Sequence, residues 1–242
     1  MSGELDRIVP AWNGPARVQA FFTTLDVGSA RATDQELAGT IGANRRRLRA
    51  LLPSDPVWLS QVHGRDVVGI DGNTVERIRA SPPHADAAFT RTPGVVLTVR
   101  TADCLPVLLA DRAGSTVAVA HAGWRGLAAG VLEAALDAMA VPGRDIVAWI
   151  GPAIGPRAFE VGADVRDAYC EPDPESALHF APLREGKWLA DLPALARRRL
   201  AARDVRDVAG GTWCTYSDPS RFHSYRRDKG SGRMALAAWL TS

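Results

Sequence analysis

Three residues in this sequence have side chains suited to holding a metal ion or to nucleophilic chemistry: His63, Cys104 and His121. Two imidazoles and one thiolate form a ligand set that leaves a catalytic zinc ion an open fourth position. A zinc ion so held brings the pKa of bound water down toward ~7. The same residues allow a metal-free alternative, with the thiol as nucleophile and an imidazole as its base. The separations, 41 residues from 63 to 104 and 17 from 104 to 121, are too long for a local motif, so only the fold can join them. Each residue sits in a short polar stretch at the end of an apolar run: Gln61-Val62-His63-Gly64, Ala102-Asp103-Cys104, and His121-Ala122-Gly123-Trp124-Arg125-Gly126.

The elements that must position them follow from the hydrophobic pattern. Residues 95–99 and 105–109 are short β-branched and leucine-rich runs that read as buried strands, with the polar segment 100–104 between them. Residues 116–120 read as another strand, ending at His121, and an Ala- and Leu-rich helix is expected from there to about Ala140. Earlier, residues 17–24 read as a strand. A helix is expected from Thr33 to Leu52, with Thr33 as N-cap, Glu36 three residues on and Pro53 as its stop. Residues 57–70 read as two short strands broken at His63-Gly64. In the second half, 145–150 is strand-like, 151–156 is a turn region, 192–203 is helical, and 205–208 and 212–216 read as strands. Residues 232–240 form an apolar terminal element. Polar residues at the ends of buried strands are where α/β folds keep their chemistry. One mixed α/β domain spanning 1–242 is the economical expectation, since no low-complexity linker or fixed-period repeat divides the chain.

Composition excludes several classes. The chain has 242 residues, 46% hydrophobic and 23% charged, enough to bury a core without disulfide staples. With 29 basic and 27 acidic residues the net charge is +2, and the arginine triplets at 45–47 and 197–199 read as solvated helix faces, so nucleic acid is not an expected partner. No apolar stretch reaches the ~18 residues of a membrane span, and residues 1–14 lack the pattern of a secretory signal. Cys104, Cys170 and Cys214 are an odd, widely spaced set, which favours free thiols and a reducing cytoplasmic setting.

Several motifs then carry a resemblance: Gln61–Gly64, Thr101–Cys104 with Leu105–Asp111, His121–Gly126, Ile150–Pro156 with Phe159–Gly162, and the terminal segment 215–233. In that order, from about Pro56 to the C-terminus, they resemble the bacterial laccase-domain family. That family is also named polyphenol oxidase, purine nucleoside phosphorylase type, and peptidoglycan editing factor. The resemblance implies a single-domain mixed α/β sandwich with central β-sheets flanked by helices. It also implies zinc at His63, Cys104 and His121, with copper binding in vitro a further expectation. The implied activity is phosphorolysis of adenosine, inosine, guanosine and methylthioadenosine, with some adenosine deamination. A monomer or weak dimer with purine nucleoside and phosphate as its small-molecule partners is expected. The chain departs from the family where Phe22–Ala30 replaces a longer pair of Gly- and Asn-containing stretches, while Asn44-Arg45 matches the family's helix.

Phosphorolysis needs cations, and arginine's planar fork suits phosphate. Arg45, Arg125, Arg226, Arg227, Lys229 and Arg233 are the candidates; Arg125 lies four residues beyond His121, and the glycines of 228–233 suit an anion-binding loop. Asp103 suits either orienting a ligand or capping a turn. Trp124 and Tyr225 suit stacking on a purine, and Glu160, His84, His179 and His223 read as structural or surface groups. Three competing functions remain in view at this stage: a cysteine hydrolase of peptidoglycan precursors, copper-dependent phenol oxidation, and a non-enzymatic module. A multicopper laccase needs roughly eight to ten histidines for its clusters, and the chain has 5.

Overall fold

The computed structural model describes residues 6–30, 44 and 46–242. In chain order its elements are β1 (Arg7–Ile8), β2 (Val18–Thr23), β3 (Pro56–Val57), β4 (Val67–Gly69), α1 (Val75–Ala80), β5 (Ala87–Thr90), β6 (Val96–Thr101) and β7 (Leu105–Asp111). These are followed by β8 (Val117–Ala122), α2 (Trp124–Ala128), α3 (Val131–Met139), β9 (Ile146–Ile150), β10 (Glu160–Val161), α4 (Ala163–Cys170) and β11 (Phe180–Arg184). The chain closes with β12 (Lys187–Ala190), α5 (Leu192–Ala202), β13 (Asp207–Gly210) and β14 (Met234–Leu240). They build a six-stranded sheet in the order β13-β9-β7-β8-β5-β4, a five-stranded sheet β1-β2-β14-β6-β3, and a small sheet β10-β12-β11.

The alternation of strand side chains makes this a sandwich. Along β7, Leu105, Val107 and Leu109 face one way, into a cluster with Leu132 and Leu136 of α3 and Leu195 and Leu200 of α5. Leu108 and Ala110 face the other way, against Leu97 and Val99 of β6 and Leu236 and Ala238 of β14. All seven β7 residues are buried, as are all six of β8, which is why both strands read as unbroken apolar runs. The outer face of the five-stranded sheet is covered in turn, where Phe21, Val96 and Ala237 pack with Leu48 and Leu52. Helices therefore flank two stacked sheets, as the resemblance implied.

The structure revises four local expectations. The helix expected after His121 is two helices, because the chain turns at Gly130, whose φ of 91° is left-handed. His121 lies inside β8 rather than after it. Residues 212–216 are not a strand; their only ladder contact is an isolated bridge from Cys214 to Ala153. The β10–β12 sheet was not foreseen, since β11 is exposed at all but its first residue and shows no apolar period. The expected N-cap Thr33, Glu36 and Arg45 lie outside the described residues, while 44 and 46–50 are helical.

Candidate metal centre

Residue 63 sits in the loop before β4, residue 104 starts β7's approach, and residue 121 sits near the end of the antiparallel neighbour β8. The β7–β8 register pairs Leu105 with Ala122 and Pro106 with His121, which brings Cys104 beside His121. The third ligand arrives through backbone strain. His63 has φ 60° and Asp103 φ 86°, both in the left-handed region, a conformation that costs of order 1–3 kcal/mol per non-glycine residue and persists only when surroundings enforce it. The enforcing group for His63 is Asp86. Its buried carboxylate accepts from the backbone N–H groups of Val62 (3.1 Å), His63 (3.0 Å) and Gly64 (2.7 Å), folding that loop around one side chain.

Asp86 also accepts from His121 Nδ1 at 2.7 Å, which leaves Nε2 free to face Cys104. A carboxylate behind a ligand imidazole in this way fixes its tautomer and orientation. Burial works against ionising Asp86, but its hydrogen bonds from His121 and Gly64 bring its pKa below the ordinary carboxylate value. Burial alone also raises the Cys104 thiol. The charge of His121 and hydrogen bonds from both histidines outweigh that, taking Cys104 down to about 6. His121 is lowered by its burial but raised more by the Cys104 thiolate and Asp86, to about 9.

The donor atoms of His63, Cys104 and His121 all lie within 4.8 Å of one another, with Cys104 Sγ and His63 Nε2 3.9 Å apart. Zinc–nitrogen bonds of ~2.1 Å and zinc–sulfur bonds of ~2.3 Å imply donor separations of roughly 3.3–3.8 Å around a tetrahedral ion. The residues present therefore fit such a metal. Among the described residues they are the one group of histidine, cysteine and carboxylate donors so arranged. Two glycines permit the approach. A Cβ at Gly123 would stand 2.9 Å from Cys104 Sγ, and one at Gly126 would stand 2.6 Å from the carbonyl oxygen of Gly64.

The triad opens into two lobes. The larger, about 610 Å³, is walled by Arg100, Arg125 and Arg233 with Gln61 and Tyr225, and among the described residues its lining holds no carboxylate. The smaller, about 230 Å³, is bounded by Trp124, Ile154, Phe159 and Leu192. His63, Cys104, Arg125 and Tyr225 border both. Helix α2, which carries Trp124 and Arg125, is held from below by Tyr169, whose hydroxyl donates to the Trp124 carbonyl at 2.8 Å, and by Arg199, which donates to that of Ala128 at 2.9 Å.

The sequence candidates distribute unevenly over this geometry. Arg125 and Arg233 face the larger lobe and Arg226 the smaller. Arg227 lines neither lobe; its guanidinium donates to the carbonyls of Thr215 (2.7 Å), Tyr216 (2.8 Å) and Phe222 (2.6 Å), bracing the loop. Lys229 is exposed outside both lobes. In the 228–233 segment the Gly230 N–H is bonded to Asp228 Oδ1 at 2.9 Å. Asp103 touches no ligand histidine. It accepts from Thr215 Oγ1 (2.6 Å), Ser224 Oγ (3.0 Å) and the Arg226 N–H (2.7 Å), tying the C-terminal loop to the metal strand. Sequence reasoning missed Asp86 and Arg100. The second sits in the polar interruption before Cys104, which was a usable signal; Asp86 has none, because its partners are 22 to 35 residues away.

Fold and site together define an α/β protein with a candidate metal triad at its strand ends, set in a cavity of small-molecule size. Residues 16–241 match the model of the family described as multi-copper polyphenol oxidoreductase laccase, and the chain belongs to that family. A Pseudomonas aeruginosa relative named purine nucleoside phosphorylase is 48% identical over 245 residues, covering 96% of this chain and 98% of its own. The Escherichia coli protein named purine nucleoside phosphorylase YfiH is 47% identical over 247 residues, covering 96% of this chain and 98% of the relative. A solved structure, Neisseria meningitidis protein NMB0706, superposes with a TM-score of 0.88 at 42% identity, covering 98% of this chain and 99% of that one. No helix among the described residues is long and apolar enough to cross a membrane.

Proposed function

We propose that this protein is a zinc-dependent purine nucleoside phosphorylase, acting on adenosine, inosine, guanosine and methylthioadenosine, with adenosine deamination as a side activity. The observation that carries the reading is the larger lobe, whose described lining sets Arg100, Arg125 and Arg233 around the triad. That lining suits phosphate dianion, which arginine binds through paired N–H donors. The smaller lobe, where Trp124, Ile154, Phe159 and Leu192 share the lining with Asp103 and Arg226, suits a purine ring with its polar edge. A nucleoside laid across both places its glycosidic bond beside His63 and Cys104. The names of the relatives support the same reaction.

In phosphorolysis a phosphate oxygen bonds to ribose C1′ as the C1′–N9 bond breaks, and the bonding pair leaves on the purine. His63, Cys104 and His121 would hold zinc, which supplies Lewis-acid polarisation of a substrate oxygen. Arg100, Arg125 and Arg233 hold and orient the phosphate. Asp86 keeps His121 in the tautomer that presents Nε2. Trp124 and Tyr225 exclude water from the reacting atoms and flank the base.

A second reading has one observation in its favour: the Cys104 thiolate beside a protonated His121 is the resting state of a cysteine nucleophile. It would make the chain a hydrolase, with peptidoglycan precursors as substrates. Separating the products of adenosine incubated with zinc-loaded protein, with and without phosphate, distinguishes these. Free adenine that requires both phosphate and Cys104 is the expected result, and inosine reports deamination. No purine product under any condition overturns the phosphorylase reading and leaves the hydrolase.

A further inference from the structure

Away from the triad, a third cavity of about 420 Å³ lies between the helical residues 46–50, the turn at 53–56 and α1, and among the described residues it shares no lining residue with either lobe. Its volume is in the range of small-molecule sites. Among the described residues its lining holds three arginines, Arg46, Arg49 and Arg79, and one carboxylate, Asp55. Asp55 is taken by Arg49, whose Nε donates to it at 2.7 Å. Arg46 makes no ion pair with a described residue and is exposed. Arg79 pairs with Glu76 at 2.5 Å and donates to Ser54 Oγ at 3.3 Å and to the Asp55 carbonyl, while its Nε is buried without a hydrogen-bond partner.

The rest of the described lining is apolar or aromatic: Leu48, Pro56 and the half-buried indole of Trp58. Arginines and an indole in one lining suit a ligand with both a phosphate and a planar ring. A phosphate monoester carries about −1.5 to −2 at pH 7, and Arg46 is the cation of this lining that no described carboxylate neutralises. Trp58 is also the ring over which Arg100 of the catalytic cavity sits, 5.6 Å from guanidinium carbon to ring centroid. The third cavity is thus one indole away from a phosphate-facing arginine.

We propose that this cavity is a second ligand site, taking a nucleoside monophosphate with its phosphate on Arg46 and Arg79 and its base against Trp58. The inference stands on this cavity alone and does not depend on the reaction at the triad. The test uses AMP as probe, with adenosine and inorganic phosphate as controls, measured calorimetrically on the full chain. AMP should bind more tightly than either control, and Arg46→Gln with Arg79→Gln should weaken it at least about tenfold, as expected for lost charge-assisted bonds. Because Arg79 also supports the 53–56 turn, Arg46→Gln alone serves as a second variant; its side chain braces no described residue, and it should weaken AMP binding several-fold with an unchanged melting temperature. Photo-labelling with 8-azido-AMP should mark Trp58. Label confined to Tyr225 and the triad lobes, phosphate alone binding as tightly as AMP, or unchanged AMP affinity in Arg46→Gln would each overturn the proposal.

Discussion

Two buried aspartates divide the work of this site, and they do it differently. Asp86, at 0% exposure, gathers three consecutive backbone N–H groups and a ligand imidazole, so one side chain both folds the His63 loop and aims His121. Asp103, at 8% exposure, gathers two hydroxyls and a backbone N–H from residues 215–226 and touches no ligand. The first builds the candidate metal centre, and the second builds a wall of the cavity around it. Both regions lack regular secondary structure, and in both a buried carboxylate supplies the hydrogen bonds that a strand or helix would otherwise provide. The difference lies in what loosening each would release.

Removing the metal-side carboxylate should have the larger effect. Asp86→Asn keeps the size of the side chain but can no longer balance His121 and three N–H donors. Replacing a ligand's supporting carboxylate costs typically 10–100-fold in metal affinity, and a zinc competition titration should read a loss in that range. An affinity within twofold of wild type would mean that Asp86 is only a loop brace. The cavity-side change should be milder and of another kind. Asp103→Asn should retain one zinc per chain and lose about 1–3 kcal/mol of stability from its disturbed buried hydrogen bonds. In steady-state kinetics its KM for nucleoside should rise more than kcat falls. Loss of zinc in that variant would erase the distinction between the two aspartates.

A smaller effect sharpens the electrostatic side of the comparison. In metal-free protein the Cys104 thiol has its pKa at about 6, so it is thiolate above that pH and protonated below it. Its alkylation by iodoacetamide, read by mass spectrometry, should therefore rise through pH 6 and level off by neutrality, about two units below an ordinary thiol. Zinc should suppress it, and Asp86→Asn should move the midpoint upward because His121 loses the carboxylate that keeps it charged. A midpoint near 8.5 in the wild type would contradict the paired state.

How much of this was legible in the sequence depends on how local each signal is. The triad could be read because a cysteine and two histidines stood at the ends of apolar runs, and those runs became β7 and β8, buried throughout. Strands β6 and β9 and helix α5 were legible from local patterns too, while β14 was legible only as an apolar terminal element. Asp86 was not, since it lies one residue before β5 and nothing nearby marks it as the partner of Gly64 and His121. Residues 212–216 misled because Trp213, Cys214 and Thr215 have strand-like composition. The segment is instead held by side chains, through Asp103 and the Arg227 guanidinium, which no period in the sequence records. Arg227 itself was a reasonable phosphate candidate by type, and only its three carbonyl partners place it in the brace.

The most direct test of the account is the metal content of the purified protein after zinc loading and removal of free ion, measured for wild type and Cys104→Ala by plasma mass spectrometry alongside a circular dichroism spectrum. One zinc per chain in the wild type, and none in a folded Cys104→Ala variant, is the predicted result. A wild type that holds no stoichiometric metal, or a Cys104→Ala variant that keeps it, would contradict the assignment of His63, Cys104 and His121 as a metal centre.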